Sequence, residues 1–136
     1  MKYLGIDYGT KRVGLATAET GGMAFPHSVI QNVPTLIADV LAICTKSSIG
    51  TIVIGNSLDN KNMPNAIMKK VIPFAEELKK HSGLPVVFMN ETFSSREATH
   101  LQGDNNMNDA SAAAIVLQSY LDKTYPRSIH EEDNDE

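Results

Sequence analysis

The chain has no tryptophan and a single cysteine, Cys44, in 136 residues. One thiol excludes an intramolecular disulfide and fits a reducing compartment. The four histidines, His27, His81, His100 and His130, show no ligand spacing and have no Cys pair nearby, so no metal role falls to them. Aromatic residues are few, at 6%, and Tyr8 and Phe93 read as packing residues rather than base-stacking platforms. No apolar run approaches the length of a membrane span, so no membrane partner is expected. The N-terminal apolar run is cut by Asp7 almost at once, unlike that of a secretion signal, and the expected compartment is the cytoplasm. Positive charge is not in excess. Twelve Lys and Arg face sixteen Asp and Glu, for a net charge of −4, which argues against a strongly basic binding protein. The stretch from His130 to Glu136 carries five of the sixteen acids. The remainder is close to neutral and leaves room for a local basic patch.

What is present is ordinary for one globular domain: 42% apolar and 21% charged residues. That domain is expected over residues 1–124. An acidic tail, 125–136, has too little apolar surface to fold. Short Ile-, Leu- and Val-rich runs predict strands over 3–8 and 12–18, with a third near 27–30. Pro34 suits the first turn of a helix that carries Leu36, Ile37, Val40, Leu41 and Cys44 at helical spacing and ends near 47–50. Strands follow over 51–55 and 85–89. Between them a helix over 64–81 buries Ile67, Val71, Phe74, Ala75 and Leu78 and stops at Gly83; Pro73 should kink or break it. Ser94 or Ser95 can cap a short helix running to about 101, and 102–108 reads as a loop. A last helix begins at Asp109, and its alanines suit close packing on a sheet. A meander followed by alternating units implies an α/β domain, a mixed sheet with helices on its faces.

The segment from Leu4 to Ala16, LGIDYGTKRVGLA, is the most informative. It reads as a strand ending on an acid, a tight turn with Gly9 free to take positive φ, two bases, and a second strand. An ionised carboxylate at a strand end needs a partner, and a hard divalent cation is a natural one. Lys11 and Arg12 can face a phosphate. Taken alone, the same residues are ordinary turn and surface residues.

Two more acids change that weight. Glu91 follows the 85–89 strand, and Asp109 opens the last helix. Neighbouring strands would bring Asp7 and Glu91 to one end of the sheet, and a helix N-terminus can bring Asp109 to the same rim. Three gathered carboxylates repel one another, and one or two Mg²⁺ or Mn²⁺ ions relieve that repulsion while supporting phosphodiester hydrolysis. Singly, Glu91 is also a plausible solvated acid and Asp109 a good N-cap.

With these acids placed, the chain resembles the YqgF/RuvX family, whose members carry the names of pre-16S rRNA nucleases and Holliday junction resolvases. The resemblance runs from Tyr3 to Lys123. It rests on GIDYGTKRVG at 5–14, IVIG at 52–55, NETFSS at 90–95 and DASAAAIVLQSYL at 109–121. It implies a ribonuclease H-like fold, a mixed five-stranded sheet with helices on both faces, in which Asp7, Glu91 and Asp109 are the metal-binding catalytic acids. The chain departs from the family at Asn90 and Thr92, where Asp and Arg are common. It also departs at the loop Gly55–Asp59, at the short, base-poor loop 102–108 and at Pro73. The implied function is a metal-dependent endonuclease on structured nucleic acid, with processing of the pre-16S rRNA 5′ end favoured and RNA preferred to DNA. Lys11 and Arg12 would steady the phosphate backbone, and the protein is expected to be a monomer or weak homodimer. The rivals are a Holliday junction resolvase and a weakly active or inactive nucleic-acid-binding module on the same fold. A third is an ATP-binding protein of the actin and sugar-kinase group, whose phosphate turn also reads Asp-x-Gly-Thr but which needs two such domains.

Overall fold

A computed structural model of the chain describes residues 1–56, 68–90 and 107–125. Five strands, β1 (Lys2–Tyr8), β2 (Arg12–Glu19), β3 (Phe25–Gln31), β4 (Ile49–Asn56) and β5 (Val86–Asn90), form one sheet in the order β3-β2-β1-β4-β5. β1, β2 and β3 are an antiparallel meander, whereas β4 runs parallel to β1 and β5 parallel to β4. The sheet is therefore mixed, as expected. Three helices are described: α1 (Leu36–Lys46), α2 (Met68–Ser82) and α3 (Met107–Thr124).

Alternation along the strands divides the interior in two. Leu4, Ile6, Val13, Leu15, Ile52 and Ile54 point to one face, where Leu36, Val40 and Cys44 of α1 and Val71, Phe74, Ala75 and Leu78 of α2 cover them. Tyr3, Ala16, Ala18 and Val53 point to the other, where Ala113, Val116, Leu117 and Leu121 of α3 cover them. The expected faces of α1 and α2 are thus the buried ones, except that Ile67 lies outside the described residues. Tyr8 packs its ring 4.9 Å from that of Phe74, the packing role expected of it.

α3 lies unusually close to the sheet. A Cβ on Gly5 would come within 2.8 Å of the Leu117 Cβ and 2.9 Å of the Ala113 carbonyl oxygen. One on Gly14 would sit only 1.9 Å from the carbonyl oxygen of Asp109. Glycine in both strands, with alanine along the helix, is what permits this approach.

Several local expectations are corrected. α2 runs through Pro73 without a break. Pro73 lies on the exposed face of the helix, where water can serve the backbone carbonyl that loses its partner. α3 starts at Met107, so Asp109 is a first-turn residue rather than the N-cap. Gly9 does not take positive φ, which among the described residues belongs to Ser48, Gly21 and Gly83. Gly9 is needed for space instead: a Cβ there would lie 2.5 Å from the Arg12 carbonyl oxygen. Gly83, at φ 73°, does end α2, with its N–H bonded to the Lys79 carbonyl at 3.0 Å. β3 is longer than expected and contains Pro26, which has no backbone N–H to donate and is tolerated because β3 is an edge strand with a register shift beside it. The expected helix over 94–101 and the tail 126–136 lie outside the described residues.

Candidate active site

Asp7 is the penultimate residue of β1 and pairs with Gly14 across the β1–β2 ladder. Tyr3 and Gly5 face α3, so strand alternation turns Asp7 toward α3 as well. Gly5 lies under Ala113 and Leu117, while Gly14, the partner of Asp7, lies under Asp109. From Gly5 to Asp7 the strand advances about 6.7 Å. From Ala113 back to Asp109 the helix retreats about 6 Å. The two elements therefore run past each other in step, and the backbone of Asp109 comes over Gly14, the strand partner of Asp7. Asp7 and Asp109 are both half-buried. The first turn of α3 also brings the positive end of its dipole to this rim, which favours negative charge there.

The bases of the turn take different places. Lys11 is exposed. Arg12, the first residue of β2, donates from Nε to Asp109 Oδ2 at 2.8 Å. This ion pair ties the start of β2 to the first turn of the last helix. The sequence suggests a phosphate contact for Arg12; the structure adds a protein carboxylate as its partner.

A residue not singled out by sequence, Asn32, braces the same turn. Its Nδ2 donates to the Gly9 carbonyl at 2.7 Å, and its backbone N–H donates to the Lys11 carbonyl at 2.9 Å. Asn32 directly follows β3, whose last pair is Arg12 with Gln31. An Asn placed just beyond a third strand, before Pro34, is the signal that could have revealed it, but only once the register of the meander is known.

β1, β4 and β5 are parallel and end on the same side of the sheet, at Tyr8, Asn56 and Asn90. Glu91, next in the chain, lies outside the described residues. Among the described residues no group of three or more His, Cys, Asp and Glu side chains could hold a metal ion. Asp7 and Asp109 are hard oxygen donors at one rim, which suits Mg²⁺ or Mn²⁺, since such ions are commonly held by one or two carboxylates and keep several waters.

A family model described as RuvX, Holliday junction resolvase, matches residues 1–123. The chain belongs to the RuvX family. A relative from Nitratidesulfovibrio vulgaris (strain Miyazaki F), named "Putative pre-16S rRNA nuclease", is 38% identical over 132 residues, covering 89% of this chain and 93% of that one. A relative of the same name from Oleidesulfovibrio alaskensis is 32% identical over 140 residues, covering 95% and 97%. Among solved structures, this RuvX-family chain is similar to Thermus thermophilus RuvC in complex with a Holliday junction substrate. The TM-score is 0.62 at 17% identity, with 93% of this chain and 97% of that chain covered. It is also similar to the fowlpox virus Holliday junction resolvase, with a TM-score of 0.57 at 13% identity, covering 90% and 99%. At these identities the likeness shows the fold, which is ribonuclease H-like. No helix among the described residues is long and apolar enough to cross a membrane.

Proposed function

We propose that this protein is a divalent-metal-dependent endonuclease that hydrolyses phosphodiester bonds in structured nucleic acid, with the 5′ end of pre-16S rRNA as its substrate. The observation that supports the reading is the packing of the Asp109 end of α3 over Gly14, the strand partner of Asp7, next to a basic turn. Relatives named for pre-16S rRNA match at 38% and 32% identity, whereas the junction-bound structure matches at 17%, and this difference favours RNA. Asp7 and Asp109 would hold Mg²⁺ or Mn²⁺, with Glu91 as the third ligand that the family resemblance implies. Such an ion, when bound, supplies Lewis acidity and an activated water for phosphodiester hydrolysis. The ammonium of Lys11, exposed on the turn, contacts a phosphate oxygen, and the accessible part of Arg12 can do the same. Contacts of this kind position the backbone without reading its sequence.

The test is cleavage of a pre-16S 5′ precursor RNA and of a four-way DNA junction, each in Mg²⁺, Mn²⁺ and EDTA. Cleavage of the RNA in either ion, lost in EDTA and in Asp7→Asn, is the expected result. Cleavage of the junction alone would support the second reading, a resolvase, which the family description favours. Binding without cleavage of either would leave a binding module on the same fold.

A further inference from the structure

The carboxylate of Asp109 already has a cation in the protein itself. Arg12 Nε reaches Asp109 Oδ2 at 2.8 Å across 97 residues of sequence. Their side chains remain 42% and 27% exposed, and an ion pair this wet contributes little to stability. Its effect is local. Asp109 packs over Gly14, the strand partner of Asp7; two carboxylates gathered at that rim would repel each other, and a guanidinium on one of them would offset the repulsion. The delivery of the guanidinium is also built in. Asn32 holds the carbonyls of Gly9 and Lys11 through two hydrogen bonds, so the turn enters β2 along a fixed path. Arg12 engages one oxygen of Asp109, Oδ2, the same kind of donor a divalent ion would take.

We propose that Arg12 is a resident counter-cation and positioning residue. It holds Asp109, and a divalent ion binding there must compete with its charge for that carboxylate. The inference rests on Asp109 being an ion ligand, as proposed above. It adds that the affinity for the ion is set lower than the acids alone would make it.

The test is Mn²⁺ binding to the full chain, followed by electron paramagnetic resonance with no nucleic acid present, so that a phosphate contact cannot influence it. Arg12→Gln is expected to bind Mn²⁺ about five-fold more tightly, the order of effect of one screened charge a few ångströms away. Arg12→Lys, which keeps the charge, should stay within about two-fold of wild type, by the same reasoning. Asp109→Asn should weaken binding by about ten-fold or more, as loss of one anionic ligand predicts. A second readout follows from linkage: Arg12→Gln should melt slightly below wild type in EDTA, and the gap should close or reverse in saturating Mn²⁺. Arg12→Ala repeats the neutral substitution. If both neutral variants fail to fold, Arg12 is a structural residue and the proposal is overturned. Unchanged or weaker Mn²⁺ binding in folded Arg12→Gln, with Asp109→Asn impaired, also overturns it and leaves the ligand reading intact. Unchanged binding in Asp109→Asn removes the ligand reading itself.

Discussion

Asp7 and Asp109 reach the proposed site from different elements, Asp7 from β1 and Asp109 from the first turn of α3. Asp7 sits in a motif whose turn, bases and second strand are all legible in sequence, and the structure finds that hairpin where it was expected. For Asp109 the sequence suggests a site acid that also caps the last helix, whereas in the structure it lies inside the first turn of α3 and is gripped by Arg12. Both were expected at one rim; the partner of Asp109 was not, because 97 residues separate it from Arg12 and no periodicity spans such a distance. Asp7→Asn keeps the side chain's size and removes its charge, so nuclease activity should fall by about 10²-fold or more, as losing charge stabilisation at a metal site implies. The melting temperature should hardly change, and cleavage at the wild-type rate would reduce Asp7 to a turn residue. Gly14 is the opposite case, a position of fold rather than chemistry. With the Asp109 carbonyl 1.9 Å from where a Cβ would go, Gly14→Ala must push α3 off the sheet. A loss of about 3 kcal/mol is expected in urea unfolding, at the upper end for overpacking. Cys44 is buried in the α1–α2 face of the core, and burial pushes its thiol pKa up. The thiol should resist iodoacetamide in the native protein and react in urea. With the folded value above the unfolded one, this group's contribution to stability is full below the unfolded thiol's pKa and is lost as pH rises through the folded one.

Helices and strands were easier to recognise than their ends. The buried faces of α1 and α2 follow apolar spacing that local sequence displays directly. The ends depend on tertiary partners. β3 extends past its apolar residues because β2 offers it a ladder. α2 continues through Pro73 because its other face is anchored by Val71, Phe74, Ala75 and Leu78. The proline therefore weakens the helix without breaking it. Pro73→Ala restores one backbone donor on the exposed face and should raise stability by about 1–3 kcal/mol in urea unfolding. No gain would mean that the proline's restriction of the unfolded chain balances the lost hydrogen bond. α3 is secured at both ends. Arg12 holds Asp109 at one, and the Tyr3 and Tyr125 hydroxyls meet at 3.0 Å at the other. Between them Gln118 Oε1 accepts from the Ala24 N–H at 2.8 Å. The helix that carries Asp109 is thus tethered near both ends and between them.

At the scale of the whole molecule, net charge and patch charge point in different directions. The chain is acidic at −4, and the bases proposed for phosphate contact are confined to one turn. Lys11→Ala should reduce the slope of log affinity against log salt by about 0.9 on duplex DNA, one phosphate contact's share. Removing residues 131–136, with five acids, should tighten binding at low salt and matter little at high salt, where the Debye length is short. Unchanged low-salt affinity would place the tail far from the binding face. The mixed sheet was legible from the order of elements, since a meander followed by alternating units leaves few topologies. Its register was not, and the register is what pairs Asp7 with Gly14, under Asp109. That arrangement joins the first strand to the last described helix, and it has a consequence for synthesis. While the polypeptide is still emerging from the ribosome, Asp7 is exposed to the cell long before Asp109 has been translated. Under the proposed function, a chain of this design holds only the first of its three acids through most of its own manufacture. It can first act on nucleic acid only after α3 has emerged and closed over Gly14, so a truncated product should be inert however well its hairpin forms.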